Sequence, residues 1–326
     1  MADRDVWVSA HLFHRGDLDR VITDAVVPVV DQLSTVDAID GYFFLRYWEG
    51  GPHLRLRLRP RSPADASRVR AAVVEHCSRY FAEHPSPPGV QTAEEYRVLA
   101  QRMAVAERLT QYDAVLHPAD TVAWIPYRPE HTAYGWPPTL TAVETHFVES
   151  SAIAMDLLTA GTPPGQRHAV ALGMLMLTLA VCEPDLTRIA RRLHAMTKTP
   201  RVTADDGYLS ISPALRTQAR ELWAQASDTG SGHGPLASWL ASIRTLYTQL
   251  TVAHALGQFA PTDADSPLSR LTKAAGPDAP AVAQVVLRCT HLLCNRLGIH
   301  TAAEAHLTSL VARALIDLAD GKVGIR

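Results

Sequence analysis

Alternation of apolar and charged side chains is sharpest in residues 42–59, YFFLRYWEGGPHLRLRLR, where Leu54, Leu56 and Leu58 interleave with His53, Arg55, Arg57 and Arg59. A two-residue period of this kind predicts a β-strand with one buried face. Its other face carries four groups able to hold positive charge. The preceding run, 42–48, is rich in aromatics and has Arg46 as its one charge, so it reads as a strand buried on both sides. Glu49-Gly50-Gly51-Pro52 joins the two, and Gly-Gly between β-prone runs predicts a hairpin. A basic face can be merely solvated. Beside a buried strand it suits better the wall of a cleft for something anionic or rich in carbonyl groups.

The remaining pattern builds a layer around this hairpin. Residues 6–13, VWVSAHLF, read as a strand, and a 3.6-residue period through Leu18, Val21, Ile22, Ala25, Val26, Val29 and Val30 predicts a helix that Pro28 kinks. A second amphipathic helix is expected at 64–83, ended by a proline-rich loop. Residues 92–111 predict a polar helix of the kind found in solvated insertions, and 121–127, TVAWIPY, a further strand. From Thr139 onward helices are expected at 139–160, 166–181, 185–197, 213–227, 234–258, 266–275, 279–297 and 301–320. The fold class is therefore α+β, a small N-terminal β-sheet layered with helices and a mostly α-helical C-terminal half. The expected boundary divides the chain into 1–138 and 139–326, with one sheet face left free.

Composition adds mainly exclusions. The 31 Lys+Arg against 33 Asp+Glu give no reason to expect nucleic acid or an anionic membrane as partner. The N-terminus lacks the apolar core of a signal peptide, and no apolar run reads as long enough to span a bilayer, so a cytoplasmic protein is expected. Cys77, Cys182, Cys289 and Cys294 are scattered and read as thiols. Cys289, His291 and Cys294 do not share one helix face and find no second pair to complete a zinc site.

Two stretches carry candidate chemistry. The loop 128–138, RPEHTAYGWPP, is dense in aromatic and titratable groups. The helix expected at 279–297 is apolar around most of its circumference, yet places Arg288, His291 and Asn295 on one face, with Arg296 beside them. Taken alone, that helix also fits a satisfied core histidine with arginines at its rim.

YFFLRYWEGGPHLRLRLR, then PYRPEHTAYG, then THLLCNRLG in that order resemble the C-terminal elimination domain of lantibiotic dehydratases, also called the thiopeptide-type bacteriocin biosynthesis domain. The resemblance runs from the strand at Val6 to the helix ending near Leu297, and no large glutamylation domain accompanies it here. It implies one of two chemistries. Eliminating members remove glutamate from a glutamylated Ser or Thr of a precursor peptide, leaving dehydroalanine or dehydrobutyrine. The related thiopeptide pyridine synthases join two dehydroalanines in a formal aza-[4+2] cycloaddition, with loss of water and leader peptide.

Carried over by position, Arg55 and Arg57 correspond to the arginines of the family's HxRxR strand, and His291 to the histidine of its late H-x-x-x-N-R helix. Glu130 stands at the acidic position of a loop that in eliminases reads approximately E-x-x-R-Y-G-G. Ala133 replaces the arginine of that loop and Trp136 its second glycine. A glutamyl carboxylate needs a cationic clamp, and this exchange removes one. Two neutral dehydroalanines need instead an acid/base pair and aromatic walls. The resemblance thus favours the pyridine synthase, with the stand-alone glutamate eliminase as alternative and a non-catalytic leader-binding subunit as a second. On this reading His291, Tyr134 and Glu130 are the catalytic candidates, and Arg55, Arg57, His53, Tyr127, Trp136 and Arg46 bind substrate. The leader would dock on the N-terminal layer and the core peptide lie between the free sheet face and the helical half. No metal or organic cofactor is implied. The implied partners are the precursor peptide with leader and dehydrated core, other enzymes of the pathway, and a second copy of the chain in a homodimer.

Overall fold

The computed structural model describes residues 7–89, 92–107, 109–197, 211–227, 232–263, 268–276 and 280–323. Internal contacts divide the chain into two units, Met1–Arg128 with Ala154–Gly161, and Pro129–Ile153 with Thr162–Arg326.

The first unit is built on an antiparallel sheet of β1 (Val8–Phe13), β2 (Ile39–Tyr47), β3 (His53–Pro60) and β4 (Thr121–Ala123), in the order β2-β3-β1-β4. Register decides what each face carries. Val8, Ala10 and Leu12 stand opposite Leu58, Leu56 and Leu54, and Phe44 opposite Leu56. The three leucines are fully buried. Each such side chain withdrawn from water contributes about 1.5–3 kcal/mol. The opposite face collects Ser9, His11 and Phe13 from β1, Phe43, Leu45 and Tyr47 from β2, and the basic row of β3.

Helices α1 (Leu18–Arg20), α2 (Val27–Thr35) and α3 (Ala66–Glu83) accompany the sheet, with a π-helical segment Val21–Val26 between the first two and a 3-10 turn Pro63–Asp65 before the third. The kink expected at Pro28 takes the form of that π segment, since proline offers no N–H to the turn before it. Helix α4 (Ala93–Ala106) is less solvated than its composition suggests. Tyr96, Ala100 and Ala104 are buried, and the Tyr96 hydroxyl accepts the Gly50 N–H at 2.6 Å and donates to the Asp113 carbonyl. That bond ties the insertion to the hairpin turn. Gly50 and Gly51 take φ of 81° and 109°, a region that penalises side chains. Strand β4 ends at Ala123, four residues short of the expected Tyr127, and Pro126 lies in the stretch that leaves the ladder.

The second unit comprises α5 (His131–Tyr134), most of α6 (Thr139–Thr159), then α7 (Pro164–Cys182), α8 (Leu186–Thr197), α9 (Pro213–Gln225), α10 (Pro235–Ala255), α11 (Ser269–Ala275), α12 (Pro280–Arg296) and α13 (Thr301–Val323). Helix α7 packs against α9, α10, α12 and α13. The Trp239 indole N–H binds it, reaching the Met174 carbonyl at 3.1 Å and Thr178 Oγ1 at 3.0 Å. In contrast to the sequence reading, α7 is long and apolar enough to cross a membrane by length and composition, with mean hydropathy 1.3. Most of it, 61%, is buried inside the fold, as befits a core helix.

Candidate functional site

On the first unit every arginine of β3 covers an aromatic ring. The Arg55 guanidinium carbon sits 3.3 Å from the centroid of Tyr47, Arg57 lies 5.6 Å from Tyr127, and Arg59 lies 5.1 Å from Trp7. Arg55 also donates to Glu49 at 3.1 Å, and the other Glu49 oxygen accepts the Asp113 N–H at 2.8 Å. Stacking on π faces and pairing at the edge fix long side chains that would otherwise be mobile. Trp7, Phe43 and Tyr127 meet edge to face, forming a shared aromatic floor.

Beside the arginines runs a column of rings, His117 on Phe13 at 4.5 Å, Phe13 on His53 at 4.4 Å, and His53 on His11 at 4.8 Å. Arg57 Nη2 lies 3.3 Å from His11 Nε2. Burial, reinforced by Arg57, pushes the His11 imidazole down to about 2, and burial pushes His53 to about 3. Both rings are neutral at ordinary pH. His53 and His11 are therefore an uncharged stretch of that column against which the arginine charge is held.

The structure brings Arg55, Arg57 and Tyr127 together on this face. His53 shares the face but is fully buried, its Nδ1 at 2.8 Å from the Gly51 carbonyl, so it supports the row from beneath. Arg46 is not among them. It stands opposite Leu54 in the ladder, which turns it to the other face, where it reaches Asp19 of α1 at 2.5 Å.

On the second unit, α5 is a single turn closed by Gly135 at φ 79°. A side chain there would meet Thr139 Oγ1 at 2.6 Å, so the turn requires glycine. Thr132 accepts the N–H groups of Thr262 and Asp263, and the Asp263 carboxylate pairs with Arg288 of α12 at 3.0 Å. Arg288 in turn lies 5.7 Å over the ring of Tyr134. Burial and then the charge of Glu130 raise the Tyr134 phenol well above its usual range, so it keeps its proton. Arg296, fully buried, lies 5.4 Å over Phe147, and burial lowers it to about 10. His291 places Nδ1 2.7 Å from Glu304 Oε2 on α13. Glu130 is exposed, Ala133 is buried, and Trp136, 66% exposed, stacks on His131 at 3.7 Å with the rings nearly parallel.

Taken unit by unit, the first holds a row of guanidinium groups fixed on aromatic rings, which suits peptide oxygens, and the second holds a protonated phenol and a carboxylate-bound imidazole, groups of the kind that move protons. The family model for the lantibiotic biosynthesis dehydratase C-terminal domain matches residues 7–315. The chain belongs to that family. No curated protein sequence matches the chain. Among solved structures, this family member is similar to the pyridine synthase TbtD from thiomuracin biosynthesis, with TM-score 0.72, 19% identity, and 98% of this chain and 99% of that one covered. It is also similar to TsrL, with TM-score 0.59, 20% identity, and 96% and 95% covered. At such identities the likeness is one of fold.

Sequence reasoning missed His11, Tyr47 and Glu304. His11 and Tyr47 sit on β-prone runs, and their alternation with Ala10, Leu12 and Phe44 was the available signal. Glu304 lies 13 residues beyond His291 on the next helix, and no spacing rule joins them.

Proposed function

We propose that the protein is a peptide-modifying enzyme that forms the six-membered nitrogen ring of a thiopeptide macrocycle. It joins two dehydroalanines of a precursor peptide in a formal aza-[4+2] cycloaddition, with loss of water and the leader. The observation that carries this reading is Ala133, a buried methyl where the resembling eliminases hold an arginine. Without that arginine a leaving glutamate loses part of its clamp, and loss of one partner in an ionic site costs several kcal/mol. Neutral dehydroalanines make no such demand. A shared fold with a pyridine synthase over 98% of the chain supports the same choice.

In this mechanism Arg55 and Arg57 bind peptide carbonyl oxygens and offset negative charge developing on them. The amide of one dehydroalanine shifts to its iminol form. His291 takes the proton from nitrogen and returns it to oxygen, while Tyr134, which keeps its own proton, donates a hydrogen bond to that oxygen, with Glu130 tuning the phenol. Trp136 offers a flat exposed surface to the peptide. An extended leader would add at the β4 edge of the sheet, beside a cavity of about 140 Å³ lined in part by Trp7, Arg70 and Trp124.

Retention of both β3 arginines favours the stand-alone glutamate eliminase as the second reading. Purified protein given a glutamylated peptide and a bis-dehydroalanine peptide separates the two. The pyridine reading expects only the second to be consumed, and conversion of the first would overturn it. Binding of both leaders with no turnover, unaffected by His291→Ala in the pathway, would mark a non-catalytic subunit.

A further inference from the structure

We propose that Glu304 is the positioning residue for His291, fixing which ring nitrogen carries the proton. The inference rests on the reading in which His291 moves a proton during the reaction. Its basis is a contrast in exposure across one short contact. The Glu304 side chain is 5% exposed and that of His291 is 25% exposed, with Nδ1 and Oε2 only 2.7 Å apart. The imidazole therefore turns Nδ1 to the buried acid, while the side chain as a whole keeps a quarter of its surface exposed.

A carboxylate accepts hydrogen bonds and cannot donate them. Nδ1 must then hold the hydrogen, leaving the lone pair on Nε2 as the base. When Nε2 takes up a proton, the adjacent carboxylate offsets the charge formed. The acid is itself held in place. It lies in the first turn of α13, where the helix start favours negative charge, and His300 Nδ1 caps that turn by accepting the Ala303 N–H at 3.2 Å. Cys294, on the same helix as His291, shares Glu304 as a neighbour. Burial and then Glu304 push its thiol above the usual range, so it remains a neutral thiol and brings no competing charge.

A plain staple between α12 and α13 would show the same contact, and the two differ in what the ring does when the acid is neutralised. The full-length chain with nitrogen-15 histidine is compared as wild type, Glu304→Gln, Glu304→Asp and His291→Ala, the last assigning the His291 signals among the 15 histidines. Long-range nitrogen–proton correlations report the tautomer directly, and steady-state turnover of a bis-dehydroalanine peptide gives kcat and KM. The expected result is an Nδ1–H tautomer in the wild type and a mixed or reversed tautomer in Glu304→Gln. With it comes a fall in kcat of at least about 10- to 100-fold with KM within roughly twofold, partly restored in Glu304→Asp, the lower bound being the scale at which a metal-bound histidine loses its orienting partner. An unchanged tautomer, or an unchanged kcat, in Glu304→Gln overturns the proposal. If His291→Ala turns over peptide at the wild-type rate, the broader reading of His291 fails, and the tautomer arm still decides whether Glu304 orients the ring.

Discussion

Arg57 donates its Nη2 hydrogen to Nε2 of His11 at 3.3 Å across the paired strands β3 and β1. An imidazole that accepts there is neutral, in keeping with a burial that pushes it to about 2. His53 and His146 are held neutral by burial as well, each near 3.

These three histidines make stability depend on pH. In the unfolded chain they take up protons below about 6.5, whereas the folded protein does not bind them until near 2 to 3. The unfolded state therefore binds more protons throughout that window, and stability falls as pH drops from about 6.5 toward 3. Each group contributes a slope of at most about 1.4 kcal/mol per pH unit. Thermal unfolding midpoints between pH 7 and pH 4 should drop steadily, and a flat profile would contradict the burial assigned to these rings.

Arg46 and Arg57 lie on opposite faces of one sheet and should fail differently. Arg46→Ala leaves Asp19 without its guanidinium and should cost about 1–3 kcal/mol of stability while leaving peptide KM unchanged. Arg57→Lys keeps a charge but loses the planar fork and the stack on Tyr127, and should lower kcat/KM by about 10- to 100-fold, with a smaller effect on stability. Denaturant melts alongside steady-state kinetics check both. A KM effect from Arg46→Ala comparable to that of Arg57→Lys would refute the assignment of faces.

Trp136 should act on binding alone. Its indole is 66% exposed and stacked on His131, so truncation to alanine removes contact surface without opening a core cavity. Peptide affinity should weaken by about 3- to 10-fold, on the scale of one aromatic contact, with the melting temperature unchanged. Fluorescence anisotropy with a labelled precursor peptide measures it, and unaltered affinity would remove Trp136 from the binding surface.

The parts of the fold that one element's period determines were legible in the sequence. Leu54, Leu56 and Leu58 announced both β3 and its buried face, and the helices from Thr139 to α13 follow their Gly, Pro and Ser punctuation closely. What escaped depends on pairing between elements. Arg46 reads like its basic neighbours until the ladder sets it opposite Leu54. A polar composition concealed that Tyr96 anchors α4 to the hairpin turn. Glu304 has no local mark beyond being an acid in an otherwise apolar first stretch of α13, and only the packing of helices carries it to His291.

The central claim is that this family member closes a ring rather than expelling glutamate, and the mass of the leader after reaction tests it most directly. Incubated with a leader-bearing peptide containing two dehydroalanines, the protein should release the intact leader as its carboxamide and a core product lighter by that leader and one water. A leader that stays attached to an unchanged core, while a glutamylated peptide loses glutamate under the same conditions, would contradict the account.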